Sequence, residues 1–289
     1  MAGFVKNREK TELLAGLITM GAAVLLLVIA IIFMTRCSAD APKDTDAGAT
    51  ESTSASPTEP SLPPLETNPY GVGDFSYQNG YLTCLAGESM LCIDVSSHQG
   101  YIDWAAVAAS PVEGVMVRIG YRGYENGKIC KDDLWQTNLQ GAKENGLLTG
   151  AYFFSQAINP SEALEEANFL LEQLNGQALT LPVVFDWEPI GDDARTAHMD
   201  METLNACAKI FCDTIAAAGY TPMVYFNHDT SSTLLDLQQM QQEGYLFWLA
   251  HYSDKMTFPH KIHMWQYSDG GAVPGISGNV DLNLYFIYE

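Results

Sequence analysis

Val183-Val184-Phe185-Asp186-Trp187-Glu188-Pro189 opens with β-branched and aromatic residues, the composition of a buried strand. Pro189 closes it, because proline has no N–H to give to a ladder. Side chains alternate along a strand, so Asp186 and Glu188 point the same way, with Cα atoms roughly 6.5–7 Å apart. Two carboxylates on one face at the exit of a buried strand are costly unless they meet water, a partner or a substrate. A solvated strand-to-loop turn is the plain alternative. The rest of the chain decides between them.

Similar short apolar runs lie at Met90–Val95, Gly114–Gly120, Leu147–Phe154, Thr221–Phe226, Tyr245–Ala250, Ile262–Tyr267 and Val280–Phe286. Helical patterns separate the earlier ones. Asn159-Pro160-Ser161-Glu162 supplies an N-cap, a proline at the first helical position and an early acid. Leu164, Ala167, Leu171 and Leu174 are expected on one face, with Asn175-Gly176 ending the helix. Leu204, Ala208, Phe211, Ile215 and Ala218 repeat the pattern before Gly219. Strands alternating with helices predict an α/β chain, specifically a parallel (β/α) TIM-like barrel. The last three strands leave little room for helices, so the barrel is expected to be irregular there.

Upstream, Leu13 to Phe33 carries no charge, and as a helix it would be about 31 Å long, the thickness of a bilayer core. Lys6, Arg8 and Lys10 precede it, which predicts a cytoplasmic tail over 1–12, a transmembrane helix over 13–34 and everything later outside. Cleavage near Ala39-Asp40-Ala41, giving a secreted protein, is the alternative. Residues 35–69, rich in Ser, Thr, Pro and acids, are expected to form a disordered extracellular linker. Residues 70–90 hold a hairpin candidate around Asn79-Gly80, and 91–289 the barrel.

Fourteen basic against 35 acidic residues give a net charge of −21, which argues against nucleic acid as a partner. Six scattered cysteines without a CxxC pair suggest buried free thiols rather than a staple or a zinc site, although Cys84 and Cys92 could pair across a turn.

Active sites of such barrels lie at the carboxyl ends of the strands. The acids placed there are Asp94, Asp186, Glu188 and Asp281, accompanied by Tyr121, Tyr152, Tyr225, Tyr252 and Gln266. Sugar rings offer flat C–H faces to aromatic side chains and hydroxyls to acids and amides. Glycoside cleavage needs a proton donor and a negative group near an oxocarbenium-like centre. Crowded carboxylates raise one another's pKa, so one can stay protonated near neutrality. Histidines 98, 228 and 251 stand near the mouth, but no spaced ligand motif supports a metal, and no cofactor is expected.

Several of these segments resemble one family. Asp94-Val-Ser-Ser-His-Gln-Gly100 with Ile102-Asp103-Trp104, Asp186-Trp187-Glu188, Trp265-Gln266-Tyr267 and Gly278-Asn-Val-Asp281-Leu-Asn283 resemble glycoside hydrolase family 25, the bacterial lysozymes or N-acetylmuramidases. The resemblance implies an irregular βα barrel cleaving the β-1,4 bond from N-acetylmuramic acid to N-acetylglucosamine in peptidoglycan. It implies Glu188 as general acid and base, and Asp186 as stabiliser of the substrate acetamido group. Asp94 and Asp281 complete the acidic floor, and Tyr152, Tyr225, Gln266, Tyr121 and Tyr252 are the expected substrate contacts. Where many members carry Lys-Ala-Thr-Glu-Gly, this chain has Arg118-Ile-Gly-Tyr-Arg-Gly-Tyr124, a departure at the rim. A non-catalytic glycan-binding module, or a glycosidase of another N-acetylated glycan, is the competing reading. Trp187 faces away from the acids and is expected in the core with Trp104. His98 and His251 are expected as hydrogen-bonded rim residues, and Arg195 is expected to order the loop after strand four.

Overall fold

The computed structural model describes residues 62–288. The expected cytoplasmic tail and transmembrane helix, and most of the expected linker, lie outside these residues. Among those described, no helix is long and apolar enough to cross a membrane.

Two strands come first, β1 (Phe75–Gln78) and β2 (Tyr81–Cys84), joined at Asn79-Gly80. Both turn residues have positive φ (53° and 88°), the twist that asparagine and glycine tolerate. A closed eight-stranded barrel follows: β3 (Ser89–Val95), β4 (Gly114–Arg122), β6 (Leu148–Ser155), β7 (Val183–Trp187), β8 (Pro222–Asn227), β9 (Leu246–Ala250), β10 (Met264–Gly271) and β11 (Val280–Phe286). A short strand, β5 (Ile129–Lys131), folds back antiparallel on the end of β4 as a finger.

β3 to β10 run parallel around the barrel, but β11 is antiparallel to both β10 and β3. The all-parallel expectation fails at this strand for a reason of length. Only residues 272–279 separate β10 from β11, too few for the crossover a parallel pair requires.

Alternation sorts the side chains into two layers. Cys92, Met116, Val184, Met223 and Met264 fill the barrel, while Ile93, Val117, Val183, Phe185 and Trp187 face the helices. Gly150 lets β6 approach that filling, since a Cβ there would stand 2.5 Å from the Met116 sulfur. The helices are α1 (Trp104–Ala108), α2 (Trp135–Glu144), α3 (Pro160–Leu174), α4 (Met201–Ala217), α5 (His228–Thr233) and α6 (Leu237–Gln242). Asn159 caps α3 with Pro160 at its first turn, as the motif predicts. Its buried face is Ala163, Glu166, Ala167, Leu170 and Leu174, not the face centred on Leu164, which is exposed. The helix is rotated because Glu166 turns inward to meet Arg122 at 2.6 Å.

No helix lies between β9 and β10 or between β10 and β11. The β1–β2 hairpin covers this bare flank. Phe75 packs edge-on against Trp265 (5.0 Å) and Phe286 (6.1 Å), Leu82 is buried, and the Leu82 N–H donates to the Tyr267 hydroxyl. Each large apolar side chain buried in this way contributes roughly 1.5–3 kcal/mol. The linker was expected to stay unstructured to Pro69, yet residues 62–69 lie along the barrel. The Gln238 amide donates to the carbonyls of Leu62 and Pro63, Lys261 pairs with Glu66 at 2.8 Å, and Thr67 bridges to His260. Composition misses this because the Leu62 and Pro63 contacts use backbone carbonyls, which proline retains, and the ion pair depends on a lysine far away in sequence. Cys84 and Cys92 are free and buried in different layers, so they do not pair.

Candidate active site

Asp94 and Asp186 are the penultimate residues of β3 and β7, and Glu188 follows the last residue of β7. Asp281 stands second in β11, in register with Asp94. Because β11 runs antiparallel, its beginning shares the mouth with the ends of the other strands. All four acids line one open pocket of about 230 Å³, with Tyr152, Tyr225, Trp248, Tyr252, Gln266 and Arg118. The alternative of a solvated turn therefore fails for Asp186, whose side chain is buried.

Amides hold the floor. Gln266 Nε2 (3.0 Å) and Asn283 Nδ2 (2.8 Å) both donate to Asp94 Oδ2. The Gln266 carbonyl oxygen accepts from the Tyr225 (2.8 Å) and Tyr252 (3.2 Å) hydroxyls, and Trp248 Nε1 donates to Asn283 Oδ1. Tyr152 and Tyr225 meet the Trp248 ring edge-on at 6.3 and 5.0 Å. Asp186 Oδ1 is buried with no hydrogen-bond partner among the described residues.

Burial is the largest influence on all four acids, and it raises each pKa. Glu188 is pushed up to about 7 by desolvation and then by Asp281. Asp281 is pushed up to about 8 by desolvation and then by Asp94. Asp186 rises through burial, then Glu188 and Asp94, while Asp94 rises despite the opposing amide bonds of Asn283 and Gln266. The pocket therefore retains protons near neutral pH, as a proton donor to a leaving oxygen requires.

An acid whose folded pKa exceeds its unfolded value binds more protons when folded, so its contribution is present at low pH and lost as pH rises. Thermal stability should decline between about pH 4 and 8 as Glu188 and Asp281 are forced to ionise. Asp281→Asn should flatten that decline in a melting series, and an unchanged slope would refute it.

Glu188 lies beyond the last paired residue of β7, so the ladder does not fix it. The fully buried Gln156 does so instead. Its Nε2 donates to the Glu188 carbonyl at 2.8 Å, and its Oε1 accepts from Thr196 Oγ1 at 2.7 Å. Arg195 anchors the same loop with two 2.7 Å bonds to Glu162 and its N–H to the Tyr124 carbonyl, the ordering role expected of it. In Gln156→Ala, Glu188 should relax toward water and its pKa should fall, moving the alkaline limb of kcat to lower pH. A lower melting temperature with an unshifted limb would reduce Gln156 to a packing residue.

Other expected residues fall elsewhere. Tyr121 lies outside the pocket, in an adjoining groove, with the Arg118 guanidinium 5.3 Å from its ring centre. Its side chain follows the β4–β5 finger outward, so a strand-end position did not aim it at the acids. His98 lines the wall and is exposed. His251 lies off the pocket against Trp265, and its Nδ1 is unpartnered among the described residues, so it is not the hydrogen-bonded rim residue expected. Trp187 and Trp104 are buried in the outer layer, as expected. Asn283 and Trp248 were missed as site residues, although Asn283 shares a strand face with Asp281 and could have been found by alternation. Gln156 left no such signal, because its role depends on the fold of a distant loop.

The model of glycosyl hydrolases family 25 matches residues 93–276. The chain belongs to that family. It is 28% identical over 205 residues to the uncharacterised protein YegX of Escherichia coli K12, covering 67% of this chain and 68% of YegX. It is 28% identical over 197 residues to the autolytic lysozyme of Clostridium acetobutylicum, covering 66% of this chain and 54% of the lysozyme. The modular autolysin LytC of Streptococcus pneumoniae superposes with a TM-score of 0.62 at 24% identity, over 73% of this chain and 52% of LytC. The chain thus spans about half the length of these two larger proteins.

Proposed function

We propose that this family 25 barrel is a peptidoglycan hydrolase, a lysozyme that cuts the β-1,4 bond between N-acetylmuramic acid and N-acetylglucosamine. The observation that carries the reading is the Asp186–Glu188 pair at the mouth, with Glu188 buried enough to keep a proton near pH 7. Glu188 gives that proton to the leaving glycosidic oxygen and then, as a carboxylate, takes one from the attacking water. Asp186 Oδ1, lacking a protein partner, suits the N–H of a substrate acetamido group, which it orients while positive charge develops at the sugar. Asp94 and Asp281 form the floor. Gln266, Tyr152, Tyr225 and Tyr252 present amide, hydroxyl and ring edges to the sugar, and Tyr121 meets the substrate farther along the cleft. Membrane attachment belongs to the same proposal. It rests on the charge-free run at 13–34, with the amino terminus inside and the barrel outside.

The test is digestion of purified peptidoglycan by the full chain. New reducing ends on muramic acid are expected. Reducing ends on glucosamine would overturn the bond assignment, and tight binding without release would favour a glycan-binding module. Faster cleavage of chitin oligomers would favour a different glycan.

A further inference from the structure

A second groove opens beside the acidic pocket and shares three walls with it, His98, Arg118 and Phe154. Its volume of about 580 Å³ exceeds that of the pocket itself. The β4–β5 finger supplies Tyr121, Tyr124 and Glu125, and Ile190 comes from the loop after β7. This is the segment in which the chain departs from the more usual family sequence.

Arg118 stands where the two cavities join. Its Nε and Nη2 bond to Asp132 at 3.0 and 2.9 Å, and Nη2 also reaches Ser97. Asp132 is buried, so the guanidinium is fixed in place, and Nη1 has no protein partner among the described residues. Among the described residues, no other arginine or lysine lines the acidic pocket. Arg122, which also lines the groove, is consumed by Glu162, Glu165 and Glu166. The groove thus has a positive neck at the pocket and an exposed carboxylate, Glu125, on the finger, with Tyr124 and Ile190 as apolar walls.

We propose that this groove receives the peptide stem carried on the lactyl group of the muramic acid being cleaved, and so selects stem-bearing glycan. The inference rests on the hydrolase reading above. A stem leaves the sugar through a carbonyl and presents an acidic residue before a diamino acid. That order of charge matches a guanidinium at the pocket and a carboxylate farther out, with an aliphatic and aromatic wall for the alanine methyl groups. A neutral second sugar would use neither charge.

The experiment compares glycan chains that carry stems with the same chains stripped of stems by an amidase. It uses the full-length protein and two surface variants, Glu125→Lys and Tyr124→Ser. Wild type should show a lower KM on stem-bearing chains. The variants should raise that KM roughly three- to ten-fold, the scale of one exposed charge pair or one aromatic contact. Their kcat/KM on stripped chains should stay within about two-fold of wild type, since neither residue lines the acidic pocket. Equal KM values for the two substrates in wild type would overturn the proposal. So would equal losses on both substrates in the variants, which would identify a sugar subsite. Failure to cleave either substrate would instead sink the hydrolase reading and this inference with it.

Discussion

Glu188→Gln should lower kcat on peptidoglycan by roughly 10²–10⁴-fold, the usual contribution of a positioned proton donor. The amide keeps the shape and most polar contacts of the side chain, so KM and the circular dichroism spectrum should hold. The loss therefore reads as a missing proton rather than a damaged site. The sign of the pH dependence follows from the same residue. Burial and Asp281 hold Glu188 at about 7, and only its protonated form can protonate a leaving oxygen, so wild-type kcat should fall as pH rises through that value. Asp281→Asn removes the second of those causes, and the alkaline limb should then move to lower pH. Undiminished turnover by Glu188→Gln would reassign the acid. Asp186 would be the next to test, because its carboxyl is also raised by burial.

Arg122→Met should destabilise the barrel by about 3–5 kcal/mol without touching the acidic pocket. Arg122 and Glu166 are both buried, 2.6 Å apart, between β4 and α3. Removing the guanidinium leaves Glu166 with Ser155 as its one side-chain partner among the described residues, in a place where desolvation already pushes its pKa up to about 7. For a domain of this size the loss corresponds to a melting shift of roughly 6–20 °C. The double replacement Arg122→Met with Glu166→Leu should recover much of the loss, because two buried charges cost desolvation that two apolar side chains do not. If the double variant were no more stable than the single one, the pair's value would lie in geometry rather than charge. The bonds from Arg122 to the Gly127 and Glu162 carbonyls, which brace the finger, would then carry it.

What could be read from residues alone was the part governed by local periodicity. Val183 to Glu188 alternates, and the structure places Val184 and Asp186 inside and Phe185 and Trp187 outside, as that alternation requires. Asn159-Pro160 starts α3 where capping chemistry predicts. The failures are non-local. The rotated face of α3 depends on an arginine more than forty residues away in sequence, and the direction of β11 depends on the length of a loop. Tyr121 was placed by counting along a strand, but the finger turned it into the groove. At the site the acids were legible because a strand end is a local event. Gln156 was not, because a loop returning some forty residues later decides what its amide meets.

The flank sealed by the β1–β2 hairpin also bears on inheritance. Resemblance to the family begins at residue 93, yet Trp265, Tyr267 and Phe286 are covered by side chains that precede that point. A gene segment that kept every barrel strand, from Ser89 through β11, but left out the hairpin would lay these three large aromatic rings bare beside one another, a surface prone to self-association. The heritable module is therefore longer than the recognisable one. A barrel moved between genes would keep this flank closed only if the β1–β2 hairpin went with it.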